Sequence, residues 1–175
     1  SVLESCVRSG VKHVVFLSSH TVYGAHPDNP IPLTVRSPLR PQVDLHYGYY
    51  KYLSEQILQE FAEHQGDIKV TILRTCMILG PAAGNHMAQS FFKKWLLAVE
   101  NENPPLQFVY EDDLARVVDI VIQRGIQGVF NVAGDDVVFY REIAESIGSR
   151  IVSIPSFVAS PFLRLSWNMG FQRRA

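Results

Sequence analysis

Val14-Val15-Phe16-Leu17-Ser18-Ser19 is an apolar run that stops on two hydroxyls, and Tyr47-Gly48-Tyr49-Tyr50-Lys51 heads the next helical pattern. The first stretch reads as a strand buried on both faces, since a continuous run of Val, Phe and Leu suits a parallel strand covered above and below. The second sets a phenol and an ammonium four residues apart, on one helix face and one turn from each other. An ammonium beside a phenol favours the phenolate and lowers a pKa that ordinarily lies near about 10. The pair then becomes a proton-transfer group for use near neutral pH. A strand end beside a helix start is where open α/β sheets place their ligands. Tyr47, Lys51 and the Ser18-Ser19 end are therefore expected at one site.

Outward from these stretches the pattern alternates. Strands are expected near 13–18, 68–74, 106–109, 128–132 and 150–154, and helices near 2–9, 44–65, 87–99, 111–123, 139–147 and 157–169. Such alternation predicts an α/β fold with parallel strands. The Pro-rich stretch from Asp28-Asn29-Pro30 to Pro38-Leu39-Arg40-Pro41 reads as the loop between Ser19 and Tyr47, and Asn101 to Pro105 as a second turn-rich break.

Several segments together resemble one family. Ser18-Ser19-His20-Thr21-Val22-Tyr23-Gly24, then Tyr47-Gly48-Tyr49-Tyr50-Lys51 with Glu55 a turn later, is similar to the extended short-chain dehydrogenase/reductases, the NAD-dependent epimerase/dehydratase family. Val70-Thr71-Ile72-Leu73-Arg74 with Leu79-Gly80-Pro81, Phe108 to Ala115, and Gly128 to Gly134 with Arg141-Glu142-Ile143-Ala144 follow in the family's order, over about residues 1 to 150. The resemblance implies the C-terminal part of a Rossmann-like doubly wound parallel sheet, with a small C-terminal substrate-binding region. Residues 1–80 would be the second half of the Rossmann-like domain, with the catalytic Ser and the Tyr-x-x-x-Lys motif. Residues 81–175 would form a mixed substrate-binding region with the late strand and helix units. The family normally opens on a strand, a Gly-rich turn and a helix that hold the cofactor pyrophosphate. No Gly-x-x-Gly-x-x-Gly occurs here, and the chain reads as the C-terminal portion of a longer polypeptide.

The resemblance implies an enzyme using NAD or NADP. Carried over, Tyr47 is the acid/base, Lys51 its modulator and a ribose contact, and Ser19 the hydroxyl that holds the substrate oxygen; Ser19, not Ser18, directly precedes the x-x-Val-Tyr-Gly run. Thr75 falls where the backbone of family members passes the nicotinamide. Tyr23 either walls the substrate pocket or packs under the loop. Nucleotide-sugar epimerases of the family usually carry Asn where this chain has Met77, and tend to carry Arg where it has Leu106. Losing those polar contacts points to a small or hydrophobic carbonyl or alcohol substrate contacted by Met77. A sugar-nucleotide epimerase and a non-catalytic ligand- or partner-binding member of the same fold are the alternatives. Family members often pair through a four-helix bundle, so a homodimer through the Tyr47 helix is a further implication.

The remaining polar residues read structurally. Glu55 is expected in a solvated i,i+4 pair with Lys51, Arg74 in an internal ion pair, and Asp112 and Asp113 as acids at a helix N-terminus. His20, His26, His46, His64 and His86 show no metal spacing, and His46 is expected in an exposed loop. The chain has 19% charged residues and a net charge of −1, which gives nucleic acid no basic face. With 47% hydrophobic residues it can bury a sizeable core, yet no run approaches the ~20 apolar residues of a membrane span. Cys6 and Cys76 read as buried free thiols in a reducing, cytoplasmic setting. The apolar segment from Ile151 to Gly170 is expected as a helix over the substrate region, or as a partner or membrane-surface contact through Phe157, Phe162, Leu163 and Trp167.

Overall fold

The computed structural model describes residues 1–83, 91 and 93–158. The chain divides into two units: Ser1–Cys76 with Val109–Ala133, and Met77–Phe108 with the residues from Gly134 onward.

The first unit starts with α1 (Val2–Arg8) and β1 (His13–Ser19), followed by a 3-10 turn over His20–Tyr23. After the Pro-rich loop come α2 (His46–His64) and β2 (Lys69–Thr75). The second unit holds β3 (Met77–Leu79), β4 (Trp95–Val99) and β5 (Pro105–Leu106). The chain returns through β6 (Phe108–Tyr110) to α3 (Glu111–Arg124) and β7 (Gly128–Val132) of the first unit. It then completes the second unit with β8 (Val138–Phe139), α4 (Tyr140–Ser146) and β9 (Arg150–Ile154).

In the first unit β1, β2 and β7 form a parallel sheet in that order among the described residues, with Val14 beside Val70, Ser18 beside Arg74 and Arg74 beside Asn131. The α/β class with parallel strands therefore stands. β2 is central, and its residues Val70 to Thr75 are all buried. Leu58 of α2 packs with Val70 and Ile72, joined by Val14, Phe16, Phe61 and Val129. α3 turns Leu114 and Val121 inward and begins on Glu111, Asp112 and Asp113, acids that suit the positive end of the helix dipole. It stops at Gly125, whose φ of 58° is a left-handed cap.

In the second unit β4 runs parallel to β9, Trp95 beside Arg150, and β5 runs antiparallel to β8. Here the expected helix at 87–99 is overturned for its last third: Trp95–Val99 is a strand with Leu96 and Ala98 buried, Trp95 and Leu97 exposed and Val99 half-buried. A five-residue apolar run carries no periodicity that separates buried helix from strand, and pairing with β9 decides the matter. His86, most of the expected helix at 157–169, and Phe162, Leu163 and Trp167 lie outside the described residues. Among those described, no helix is long and apolar enough to cross a membrane.

Candidate active site

The residues proposed for proton transfer stand in the first unit, around the C-terminal end of β1 and the start of α2. Gly48, Glu55 and Leu58 are the buried positions of α2, at spacings of seven and three residues that mark one helix face. Gly48 permits close approach to the 3-10 turn, because a Cβ there would come within 3.0 Å of the Thr21 carbonyl oxygen and 3.1 Å of Thr21 Oγ1. One turn on, the Lys51 ammonium donates to the Leu17 carbonyl (2.7 Å). It lies 4.9 Å from the centre of the Phe16 ring and 5.6 Å from that of Tyr47. Partial burial holds the Lys51 pKa below the ordinary lysine value. The Tyr47 ring is 62% exposed, open to a ligand.

The two serines at the end of β1 have different partners. Ser18 donates its hydroxyl to Glu55 Oε1. Ser19 Oγ accepts from the Thr21 N–H (3.2 Å) and from Thr21 Oγ1 (3.0 Å), capping the 3-10 turn. Thr75, paired with Ser19 across the sheet, donates its hydroxyl to the Ser18 carbonyl (3.2 Å). Met77 lies half-buried in β3 of the second unit.

Beneath the site lies a polar cluster that contains the expected internal ion pair of Arg74, with partners that local sequence reading did not supply. Arg74 Nη2 and Glu55 Oε2 form an ion pair at 2.6 Å, with side chains only 3% and 0% exposed. Arg74 Nε donates to both Glu55 oxygens at 3.1 Å, and Nη1 donates to the Tyr23 hydroxyl at 2.9 Å. Tyr23 OH in turn donates to Asn131 Oδ1 (2.6 Å), and Asn131 Nδ2 to the Leu33 carbonyl (3.2 Å). Burial by itself would lower the Arg74 pKa, but the bonds to Glu55 and Tyr23 reverse this and raise it. The expectation of a solvated Glu55–Lys51 pair is therefore corrected: Glu55 faces inward and its partners are Arg74 and Ser18. Tyr23 does not wall an open pocket. It is 1% exposed and packs under the loop, its hydroxyl engaged on both sides. His46 begins α2 and is no loop residue; its exposed ring stacks 6.0 Å from that of Tyr50. Cys6 and Cys76 form no disulfide and are half-buried, less enclosed than expected. Among the described residues no group of three or more His, Cys, Asp or Glu is arranged to hold a metal ion.

The model of the NAD dependent epimerase/dehydratase family matches residues 1–133, most of the chain. The chain belongs to this family. An uncharacterized protein of Mycobacterium tuberculosis is 24% identical over 157 residues, which is 89% of this chain and 42% of that protein. UDP-glucose 4-epimerase of Caenorhabditis elegans is 35% identical over 74 residues, 42% of this chain and 21% of that enzyme. The crystal structure of UDP-glucose 4-epimerase from Thermotoga maritima, with UDP-glucose, superposes with a TM-score of 0.72 at 24% identity, covering 88% of this chain and 54% of that one. The chain thus spans about half the length of the relatives it matches, and has the epimerase/dehydratase fold over that span. The Glu55–Arg74 pair had one legible signal. Glu55 falls on the same inward stripe as Gly48 and Leu58, so a carboxylate there needs a buried cation.

Proposed function

We propose that this member of the epimerase/dehydratase family carries the proton-transfer half of an NAD- or NADP-dependent oxidoreductase, epimerase or dehydratase. The observation that carries the reading is Lys51, with its ammonium between the Leu17 carbonyl and the Tyr47 ring. Tyr47 passes a proton to or from the substrate oxygen, and Ser19 holds that oxygen by a hydrogen bond. Lys51 has one carbonyl partner among the described residues, which leaves ammonium N–H groups to offer a ribose diol. That donor set fits a nicotinamide nucleotide, with the Thr75 backbone beside it. The bound cofactor supplies hydride acceptance and return, while the protein supplies placement and charge.

Met77 and Leu106, which replace a polar and a cationic residue of the sugar-nucleotide epimerases, favour a small or hydrophobic carbonyl or alcohol substrate. The likeness to UDP-glucose 4-epimerase favours the second reading, a nucleotide sugar. Cys6 and Cys76, which form no disulfide, suit a reducing, cytoplasmic setting. Exposed Tyr50 and Ile57 on α2 suit a homodimer, for which sedimentation at two concentrations is the check.

Titration with NADH and NADPH, followed by energy transfer from tryptophan to nicotinamide, tests the cofactor. Saturable binding supports the reading, and its absence in the full-length protein overturns it. Turnover of UDP-glucose against benzaldehyde separates the two substrate readings. Tyr47→Phe is expected to lower turnover by about 10²-fold or more while cofactor binding persists. Unchanged turnover removes the catalytic assignment.

A further inference from the structure

We infer that Thr21 is a positioning residue that aims the Ser19 hydroxyl proton at the substrate oxygen, and that Gly48 seats α2 against Thr21 so that the Tyr47 helix and the Ser19 hydroxyl keep one fixed relation. The inference rests on the acid/base reading of Ser19 and Tyr47 and adds to it how the serine is oriented.

A serine hydroxyl has one proton to donate and two lone pairs to accept with. Ser19 Oγ accepts twice, from the Thr21 N–H at 3.2 Å and from Thr21 Oγ1 at 3.0 Å. With both lone pairs engaged, the proton is directed away from the turn. The neighbouring serine shows the contrast: the Ser18 proton is taken by the buried Glu55 carboxylate. Both hydroxyls are buried; one gives its proton to Glu55, and the other accepts twice with no acceptor for its own proton among the described residues. A free hydroxyl rotor would divide its time among several directions; fixing it removes that loss before substrate arrives.

Thr21 is itself fixed. Its carbonyl accepts from the Gly24 N–H (3.1 Å), which closes the turn. Its carbonyl, Cβ and Oγ1 are the atoms nearest to where a side chain on residue 48 would stand, at 3.0, 3.1 and 3.1 Å. Such distances are tighter than ordinary van der Waals contact, so a methyl group at 48 must push either α2 or the turn by a few tenths of an ångström. Gly48 lies directly after Tyr47. The glycine inside the Tyr-x-x-x-Lys stretch thus serves as the contact point between the helix of the base and the cap of the serine.

The full-length protein is compared as wild type, Thr21→Val, Thr21→Ser, Gly48→Ala and Ser19→Ala, using NADH or NADPH with the UDP-glucose or benzaldehyde probe. Thr21→Val leaves the residue 21 N–H in place and removes the Oγ1 donor, so the Ser19 hydroxyl is held on one side only and the cap is loosened. It should lower kcat about tenfold, the order that one hydrogen bond carries, with KM, NADH affinity and thermal midpoint held. Thr21→Ser should return kcat to within about twofold. Gly48→Ala should fall in the range of Thr21→Val, and the double variant should be no slower than the slower single, because both act on one contact. Independently of turnover, amide hydrogen exchange at residue 21 should quicken in Thr21→Val and not in Thr21→Ser. An unchanged kcat or unchanged exchange in Thr21→Val, or a Thr21→Ser variant as slow as Thr21→Val, overturns the inference. If Ser19→Ala abolishes turnover while Thr21→Val does not change it, this inference alone falls. If Ser19→Ala leaves turnover intact, the acid/base reading falls with it.

Discussion

At the scale of single residues, the chemistry depends on where charge is allowed to be buried. The Arg74–Glu55 pair is almost wholly out of water, and the pair is tolerable because every face of it is bonded: Ser18, Tyr23 and the opposed charges. Removing one member strands the other. Arg74→Ala is therefore expected to cost about 3–5 kcal/mol of stability in urea unfolding, with Glu55→Ala in the same range. The double variant Glu55→Leu/Arg74→Met should recover most of that loss, since no lone charge remains. Lys51 behaves oppositely. Burial lowers its pKa, so the folded chain holds that proton less tightly than the unfolded chain. The charged form costs stability at neutral pH, and the cost fades as pH rises from the lowered value to the ordinary 10.5. Lys51→Met should thus unfold at no lower temperature than wild type near pH 7, and should lack wild type's gain in stability on the alkaline side. Its turnover should fall by about 10²-fold or more. A lower midpoint for Lys51→Met at pH 7 would show that the bond to the Leu17 carbonyl outweighs desolvation.

At the scale of elements, position in the sheet sets what each strand can lose. β2 is flanked on both edges and buried throughout, and Leu73 is 0% exposed. Leu73→Ala is expected to cost about 2–5 kcal/mol through lost transfer and the cavity left behind. β1 has one neighbour among the described strands, and Leu17 on it is 40% exposed. Leu17→Ala should cost less, about 1 kcal/mol, since its side chain is only partly withdrawn from water. Comparable losses at the two positions would overturn this ranking of the strands. The elements that the sequence shows well are those with a strong local cause. α3 has three acids at its start, an amphipathic stripe and a glycine at its end, and the structure has it at Glu111–Arg124, within one residue of the expected span. β4 has none of these; its apolar run by itself suits a helix as well as a strand, and pairing with β9 makes it a strand.

At the scale of the whole molecule, the chain visits each unit twice. β7, which completes the first unit's sheet, follows an excursion of 32 residues through the second unit, Met77–Phe108. A chain cut after Gln107 keeps β1, α2 and β2 but loses α3 and β7, which leaves the buried strand β2 as an unpaired sheet edge. Such a fragment is expected to unfold without cooperativity in a urea titration followed by circular dichroism. A sigmoidal transition like that of the intact chain would show that β7 is dispensable. What the sequence by itself determined was the α/β class, the parallel strands, and the spacing that puts Tyr47 and Lys51 on one helix face beside the Ser19 strand end, because each rests on local periodicity or turn chemistry. What only the tertiary structure decided was the partner of each polar group: Glu55 with Arg74 and not Lys51, Tyr23 turned inward, and Ser18 bonded to Glu55 while Ser19 accepts from Thr21. Those outcomes depend on which strand lies beside which. Ser18, Arg74 and Asn131 are far apart in the chain, and only the parallel register of β1, β2 and β7 brings them into one row.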